Sequence, residues 1–144
     1  MATILVWLCL QGNCFWTEQP IMPEAVAIAT CESGDKTNLG DINWTAVNVN
    51  KDGTIDRGGF QFNNYWVWNP NDRWIIRPVA NSLNMTSDSF LRSFPTPNDA
   101  PPYIQYAVFQ YLWDDGYGWT HWSASRDCWS QWMRVTKKGQ AVWR

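Results

Sequence analysis

Pro23-Glu24-Ala25-Val26-Ala27-Ile28-Ala29-Thr30-Cys31, followed by Glu32, Ser33 and Gly34, is the stretch on which the fold turns. Proline is favoured in the first turn of a helix, where its missing N–H would go unused, and Glu24 lies well against the positive end of the helix dipole. Gly34 supplies the stop. The segment is apolar on nearly every side, so it reads as a central helix buried all round rather than one lying on a surface. Glu32 then falls in its last turn, with an apolar helix beneath it.

Working outward, Trp44 to Asn48 and Thr54 to Phe60 flank the turn-forming Asn50-Lys51-Asp52-Gly53. Asp-Gly between β-prone runs predicts a hairpin, with Asp56 on its second arm. Residues 95–102 (PTPNDAPP) hold four prolines and must be a loop. Tyr103 to Trp113 reads as a helix, with Ile104, Ala107, Val108, Tyr111 and Leu112 at helical spacing. Gly116 and Gly118 end it. Val79 to Leu83 and Ser87 to Phe94 read as short helices, and the aromatic run from Trp119 to Trp132 as partly helical. Ile4 to Leu10 is apolar but too short to span a membrane, and no positive charge precedes it as in a signal peptide. It reads as a first strand or a core segment. No repeat or linker divides the chain, so residues 1–144 read as a single domain.

The 144 residues suffice for one domain with a proper core. A net charge of −2 argues against a nucleic-acid partner, which would demand clustered Lys and Arg. The adjacent bases Lys137 and Lys138 read as solvated surface. Twelve tryptophans are more than so small a domain can hide, so some should line a cleft or a contact surface. Four cysteines permit three pairings. Cys9–Cys14 as a short loop with Cys31–Cys128 as a long staple is the favoured set; free buried thiols in a reducing compartment are the alternative. His121 is the only histidine and no Cys-x-x-Cys pair occurs, so no zinc site is expected. Residues 48–59 imitate the start of an EF-hand, but the twelfth position is Gly59, where calcium needs a bidentate Glu. No metal or cofactor is expected.

Glycoside cleavage needs a protonated carboxyl beside the leaving oxygen and usually a second carboxylate across the sugar. Apolar burial and a helix C-terminus both raise a carboxyl pKa, and Glu32 is placed to feel both. Its neighbours point the same way. Ala29-Thr30-Cys31-Glu32-Ser33-Gly34 resembles the A-x-x-E-S-x motif of the lysozyme-like superfamily, in which the Glu is the catalytic acid. Asn50-Lys51-Asp52-Gly53-Thr54-Ile55-Asp56-Arg57-Gly58-Gly59-Phe60-Gln61-Phe62-Asn63 resembles the N-x-D-G-S-x-D-x-G-x-x-Q-I-N segment of animal-type lysozymes and the D-R-G-L-F-Q-I-N of phage and actinobacterial domains. Gly118-Trp119-Thr120-His121-Trp122-Ser123-Ala124-Ser125, followed by Cys128-Trp129, is similar to the G-W-x-x-W-S ending of the latter. The three blocks span residues 23–132.

The resemblance implies an α+β, lysozyme-like fold, mostly helical, with one small antiparallel β-hairpin or sheet beside the cleft. It implies a muramidase that cuts the β-1,4 bond of bacterial cell-wall glycan, with Glu32 as acid and Asp56 as the second carboxylate. Asp35 and Asp41 are the reserve candidates for that second role. Gln61 and Asn63 match positions beside the cleft that can bond acetamido groups; otherwise they stabilise the hairpin. Ser33 either orients Glu32 or caps the helix end. Trp66, Trp119 and Trp122 are candidates for stacking on sugar rings or for the core. His121 reads as surface. Such an enzyme acts outside the cytoplasm, in the cell wall or on a phage particle, by holin-type escape or carriage with phage structural proteins. Two alternatives remain: a lytic transglycosylase, and a non-catalytic glycan-binding or structural module of a phage particle. The sequence departs from the family at Gly59, where relatives carry a bulkier apolar residue, in its cysteine pattern, and in the long interval between Glu32 and Asp56.

Overall fold

The computed structural model of the chain describes residues 2–115, 117–135 and 141–143. Lys137 and Lys138 lie outside the described residues. Chain order runs from two strands, β1 (Thr3–Leu10) and β2 (Asn13–Pro20), into helix α1 (Pro23–Ser33). Three short strands follow, β3 (Val47–Val49), β4 (Ile55–Arg57) and β5 (Phe62–Asn63). Then come α2 (Ile76–Ser82), α3 (Ser87–Ser93), α4 (Pro102–Asp114), α5 (Arg126–Trp129) and a last strand pair, β6 (Met133–Val135) and β7 (Ala141–Trp143). The class is α+β.

Helix α1 is the centre. Every residue from Ala25 to Cys31 is buried, and its three alanines let neighbouring elements approach closely. Helix α4 contributes Ile104, Val108, Phe109 and Leu112 to the same core. Between the helices and the small sheet lies an aromatic cluster. Phe60 stacks on Phe109 at 4.6 Å, and Trp122 sits 4.7 Å from Phe109. Phe62, Trp68 and Phe90 continue it. Trp68, Trp122 and Trp129 are buried, while Trp7, Trp16, Trp66 and Trp74 are exposed, so the tryptophans divide between core and surface as their number demands.

The structure holds more sheet than the single hairpin expected. Among the described residues there are three antiparallel sheets, β1-β2, β3-β4-β5 and β6-β7. The additional N-terminal hairpin turns on Gln11 and Gly12, both with positive φ, the geometry of a tight two-residue β-turn. The expected arms at Trp44–Asn48 and Thr54–Phe60 shorten to Val47–Val49 and Ile55–Arg57. Gly58 causes the second shortening. Its φ of +81° reverses the chain, and a Cβ there would sit 2.4 Å from the Gln105 side-chain oxygen. The chain then returns as β5.

Gln105 explains that close approach. It is fully buried on α4, accepts from the Gly59 N–H at 2.8 Å, and donates to the Trp44 and Ala100 carbonyls at 2.9 and 3.0 Å. One amide thus fastens α4 to the sheet and to the proline loop with every polar atom paired. Gly59 is small for a related reason: a Cβ would fall 2.6 Å from the Trp44 ring. Trp44 fills the space that a larger residue at 59 would need. Helix α2 starts earlier than expected because Pro78 falls within its first turn, where no N–H is required.

Candidate functional site

Glu32 and Asp56 line one cleft of about 280 Å³, together with Gln61, Asn63, Trp66 and His121. The last turn of α1 carries Glu32 to it. Strand β4 carries Asp56, in register with Asn48 on β3 and Asn63 on β5. Cross-strand partners share a face of the sheet, so Asn48, Asp56 and Asn63 stand in one row, with the Asn63 amide turned to the carboxylate and the Asn48 amide to Gln61.

The two carboxyls have different surroundings. Burial raises the Glu32 pKa above its ordinary value. The Ser125 hydroxyl, which donates a hydrogen bond to Glu32 Oε1, opposes that shift; the Asp56 charge adds to it and Lys36 reduces it. Asp56 instead has both oxygens bound by amides. Asn63 Nδ2 donates to Oδ1 at 2.7 Å and Asn50 Nδ2 donates to Oδ2 at 2.9 Å. The carboxylate is thereby fixed in orientation. The Asn63 Oδ1 in turn accepts from the backbone N–H groups of Tyr65 and Trp66, which binds the loop carrying Trp66 to the same network.

Several expected residues take other work. Ser33 donates to the Ala29 carbonyl at 3.0 Å and accepts from the Asn43 N–H at 3.1 Å. It tethers the helix end to the next loop, and the contact that orients Glu32 comes from Ser125. Gln61 Nε2 donates to the Gly58 carbonyl at 2.9 Å and its Oε1 accepts from Asn48, so this amide holds the hairpin at the cleft wall. Asp35 accepts from the Thr37 N–H and hydroxyl, contacts that lower its pKa. Asp41 accepts from the Asp35 N–H. Both reserve carboxylates are absorbed by the loop after α1, which leaves Asp56 as the acidic partner in the cleft.

The three tryptophans separate. Trp66 is 73% exposed and borders the cleft. Trp122 is core, its indole donating to the Phe60 carbonyl at 3.0 Å, yet one edge forms cleft floor. Trp119 packs edge-on against Trp129 at 5.8 Å under the Arg126 guanidinium, outside the cleft lining. His121 is exposed, as expected, and also borders the cleft, with its Nε2 2.7 Å from Asp115 Oδ2.

Cys9–Cys14 and Cys31–Cys128 are both disulfides, as favoured. The second joins the residue before Glu32 to α5, three positions beyond Ser125. Among the described residues no three His, Cys, Asp or Glu side chains group closely enough to hold a metal. The EF-hand-like segment is strand, turn and strand.

Ser125, Asn50 and Gln105 were not singled out from sequence. Ser125 sits inside the aromatic third block, but its partner is 93 positions away, beyond any local pattern. Its removal has a readable consequence. Ser125→Ala should raise the Glu32 pKa further, because the lost hydrogen bond favours the ionised form. The alkaline limb of a pH–activity profile should move upward, with a lower maximum from a less well-oriented carboxyl. An unmoved limb would mean that Ser125 does not act on Glu32. No protein-family model matches the chain and no curated protein sequence does.

Proposed function

We propose that this protein is a peptidoglycan-cleaving glycosidase, a muramidase acting on the β-1,4 bond between N-acetylmuramic acid and N-acetylglucosamine. The observation that carries the reading is a half-buried carboxyl with a raised pKa sharing a cleft with a second carboxyl fixed by amides. Two carboxyls in contrasting environments are what acid-assisted glycoside cleavage needs. Lysozyme is the type case of that contrast, and the roles proposed for Glu32 and Asp56 are carried over from it.

Glu32 enters protonated and gives its proton to the glycosidic oxygen as the bond from that oxygen to the anomeric carbon breaks. Asp56 faces the oxocarbenium-like centre as the anion that stabilises it. Water then adds to the anomeric carbon and Glu32 regains a proton from it. Trp66 offers an exposed ring for stacking on a sugar face, and Asn63 and Gln61 act by positioning Asp56 and the cleft wall. The two disulfides fit an oxidising compartment, and no described helix is long and apolar enough to cross a membrane. The reading therefore puts the protein at the cell wall or on a phage particle, where phage structural proteins would be its partners.

Digestion of purified peptidoglycan, with mass spectrometry of the products, tests this directly. Reducing muropeptides are expected. Anhydro products would make the enzyme a lytic transglycosylase. No cleavage of several wall types would leave a glycan-binding or structural module. Asp56→Asn should lower the rate about 10²–10³-fold, the usual effect of removing one preorganised electrostatic group, with an unchanged circular dichroism spectrum. A variant as fast as wild type would remove Asp56 from the mechanism.

A further inference from the structure

A hollow larger than the one that holds the carboxyls lies beside the start of α2. It measures about 850 Å³ and is lined by Pro70, Arg73, Trp74, Arg77, Pro78 and Tyr111, with Asp72 also on its border. The cleft at Glu32 is about 280 Å³, so this second hollow has room for more than one sugar.

Its side chains are of two kinds. Trp74 is 79% exposed, the most exposed of the large apolar side chains among the described residues. An indole held in water invites a cover. Tyr111, on α4, supplies a second aromatic wall. The charged residues divide. Arg73 is occupied, donating from Nε to the Pro70 carbonyl at 3.0 Å and pairing with Asp88. Arg77 is not. The ion pairs among the described residues are Arg73–Asp88 and His121–Asp115, which leaves the Arg77 guanidinium without a carboxylate there. The Arg77 N–H bonds to the Arg73 carbonyl at 2.9 Å, so the backbone is already helical at this point. Trp74 and Arg77, three residues apart, therefore stand on the same side.

The hollow and the carboxyl cleft share no lining residue, so the hollow is a separate site.

We propose that the hollow at Trp74 and Arg77 is a second glycan site, which takes a muropeptide: a sugar face on the Trp74 indole and a carboxylate on Arg77. Indole suits the C–H face of a pyranose. A guanidinium binds a carboxylate through two parallel N–H bonds, which a hydroxyl cannot match. In a muropeptide the lactyl carboxyl of muramic acid is taken up in the amide to the stem peptide, and the peptide's own carboxylates remain; chitin-type chains carry none. The choice of polymer rests on the proposed function, whereas the pairing of an aromatic face with a guanidinium that has no carboxylate partner among the described residues does not.

The test uses Glu32→Gln protein with its tryptophan indoles ¹⁵N-labelled, titrated by NMR. One probe is the disaccharide-tetrapeptide released from peptidoglycan, and the other is chitotetraose. The Trp74 indole signal, assigned by its loss in Trp74→Phe, should shift with the muropeptide. Trp74→Ala and Arg77→Ala should each weaken muropeptide binding at this site about tenfold, the size of one charge-assisted hydrogen bond or one stacking contact. Both residues are exposed, so both variants should fold. Arg77→Ala should leave chitotetraose binding unchanged. A silent Trp74 signal, or an unchanged muropeptide affinity in Arg77→Ala, overturns the site. Equal weakening for both probes overturns the carboxylate assignment. A Trp74 response in a protein whose wild type cleaves no wall would defeat the enzymatic reading alone, and cleavage without that response would defeat this site alone.

Discussion

Glu32→Gln should abolish peptidoglycan cleavage while leaving glycan binding in place. The amide keeps the shape of the carboxyl, and its oxygen can still accept the Ser125 hydrogen bond. It has no proton to give the leaving oxygen. General acid catalysis contributes about 10²–10⁴-fold, and the rate should fall by at least that much. The same substitution should change stability in a pH-dependent way. Burial raises the folded-state pKa of Glu32 above its value in the unfolded chain. Below the unfolded value the carboxyl is protonated in both states. As pH rises toward and through the folded value, the unfolded chain ionises freely while the folded one must hold the proton or bear a buried charge. Folding is thus progressively weakened by Glu32 as pH increases. Glutamine is spared that cost, so the melting temperature of Glu32→Gln should exceed wild type by more at pH 8 than at pH 4. Thermal melts at the two pH values measure it. An equal difference at both would mean that Glu32 is not carrying a raised pKa.

How much of this could be read beforehand differs from element to element. Helix α1 was legible because its signals are local: a proline and a glutamate at one end, a glycine at the other, and alanines between. Helix α4 was legible for the same kind of reason; the proline segment 95–102 was only partly so, since Pro97–Asp99 closes a 3-10 turn capped by Thr96 and Pro102 already opens α4. Helix α4 hid its most consequential residue, since a polar Gln105 inside an apolar pattern shows its role only when Gly58, Gly59 and Trp44 are brought against it. The N-terminal hairpin was half legible. Ile4 to Leu10 looked like a strand, but Gln11-Gly12 is a weak turn signal beside Asn-Gly, and β2 is exposed along most of its length, so burial never marked it. Motif order singled out Glu32 and Asp56, and the structure brings both to one cleft. What distinguishes their environments came from elsewhere: Ser125 across the domain and the amides of Asn50 and Asn63 around Asp56. Gln61 and Asn63 resolved in favour of the architecture, because hydrogen bonds within the protein engage both of their amides. Local sequence carries helix ends and turns; it does not carry which distant polar group completes a carboxyl.

Cys31→Ala/Cys128→Ala should be the most destabilising change to the fold and should also remove activity. The two residues are 97 positions apart, whereas Cys9 and Cys14 are 5 apart. A cross-link narrows the unfolded ensemble by an amount that grows with the loop it closes, about 4.7 kcal/mol for a loop of roughly 100 residues and about 2 for one of five or six. Against a typical total of about 5–15 kcal/mol, the long link is a large share. Position adds to length. Cys31 is buried on α1 beside Glu32, and Cys128 lies on α5, so the link sets the distance between the helix end that bears the acid and the segment that brings Ser125 to it. Cys9→Ala/Cys14→Ala frees only the tip of the N-terminal hairpin, whose residues line no part of the carboxyl cleft. Urea denaturation of the two double variants, with peptidoglycan cleavage measured on the folded fraction of each, separates these contributions. The long-link variant should lose about 4–5 kcal/mol and its cleavage; the short-link variant should lose less than half as much and keep its cleavage. Equal losses would show that loop length is not what the long disulfide contributes. A folded long-link variant with full activity would show that the Glu32–Ser125 contact is held by packing alone.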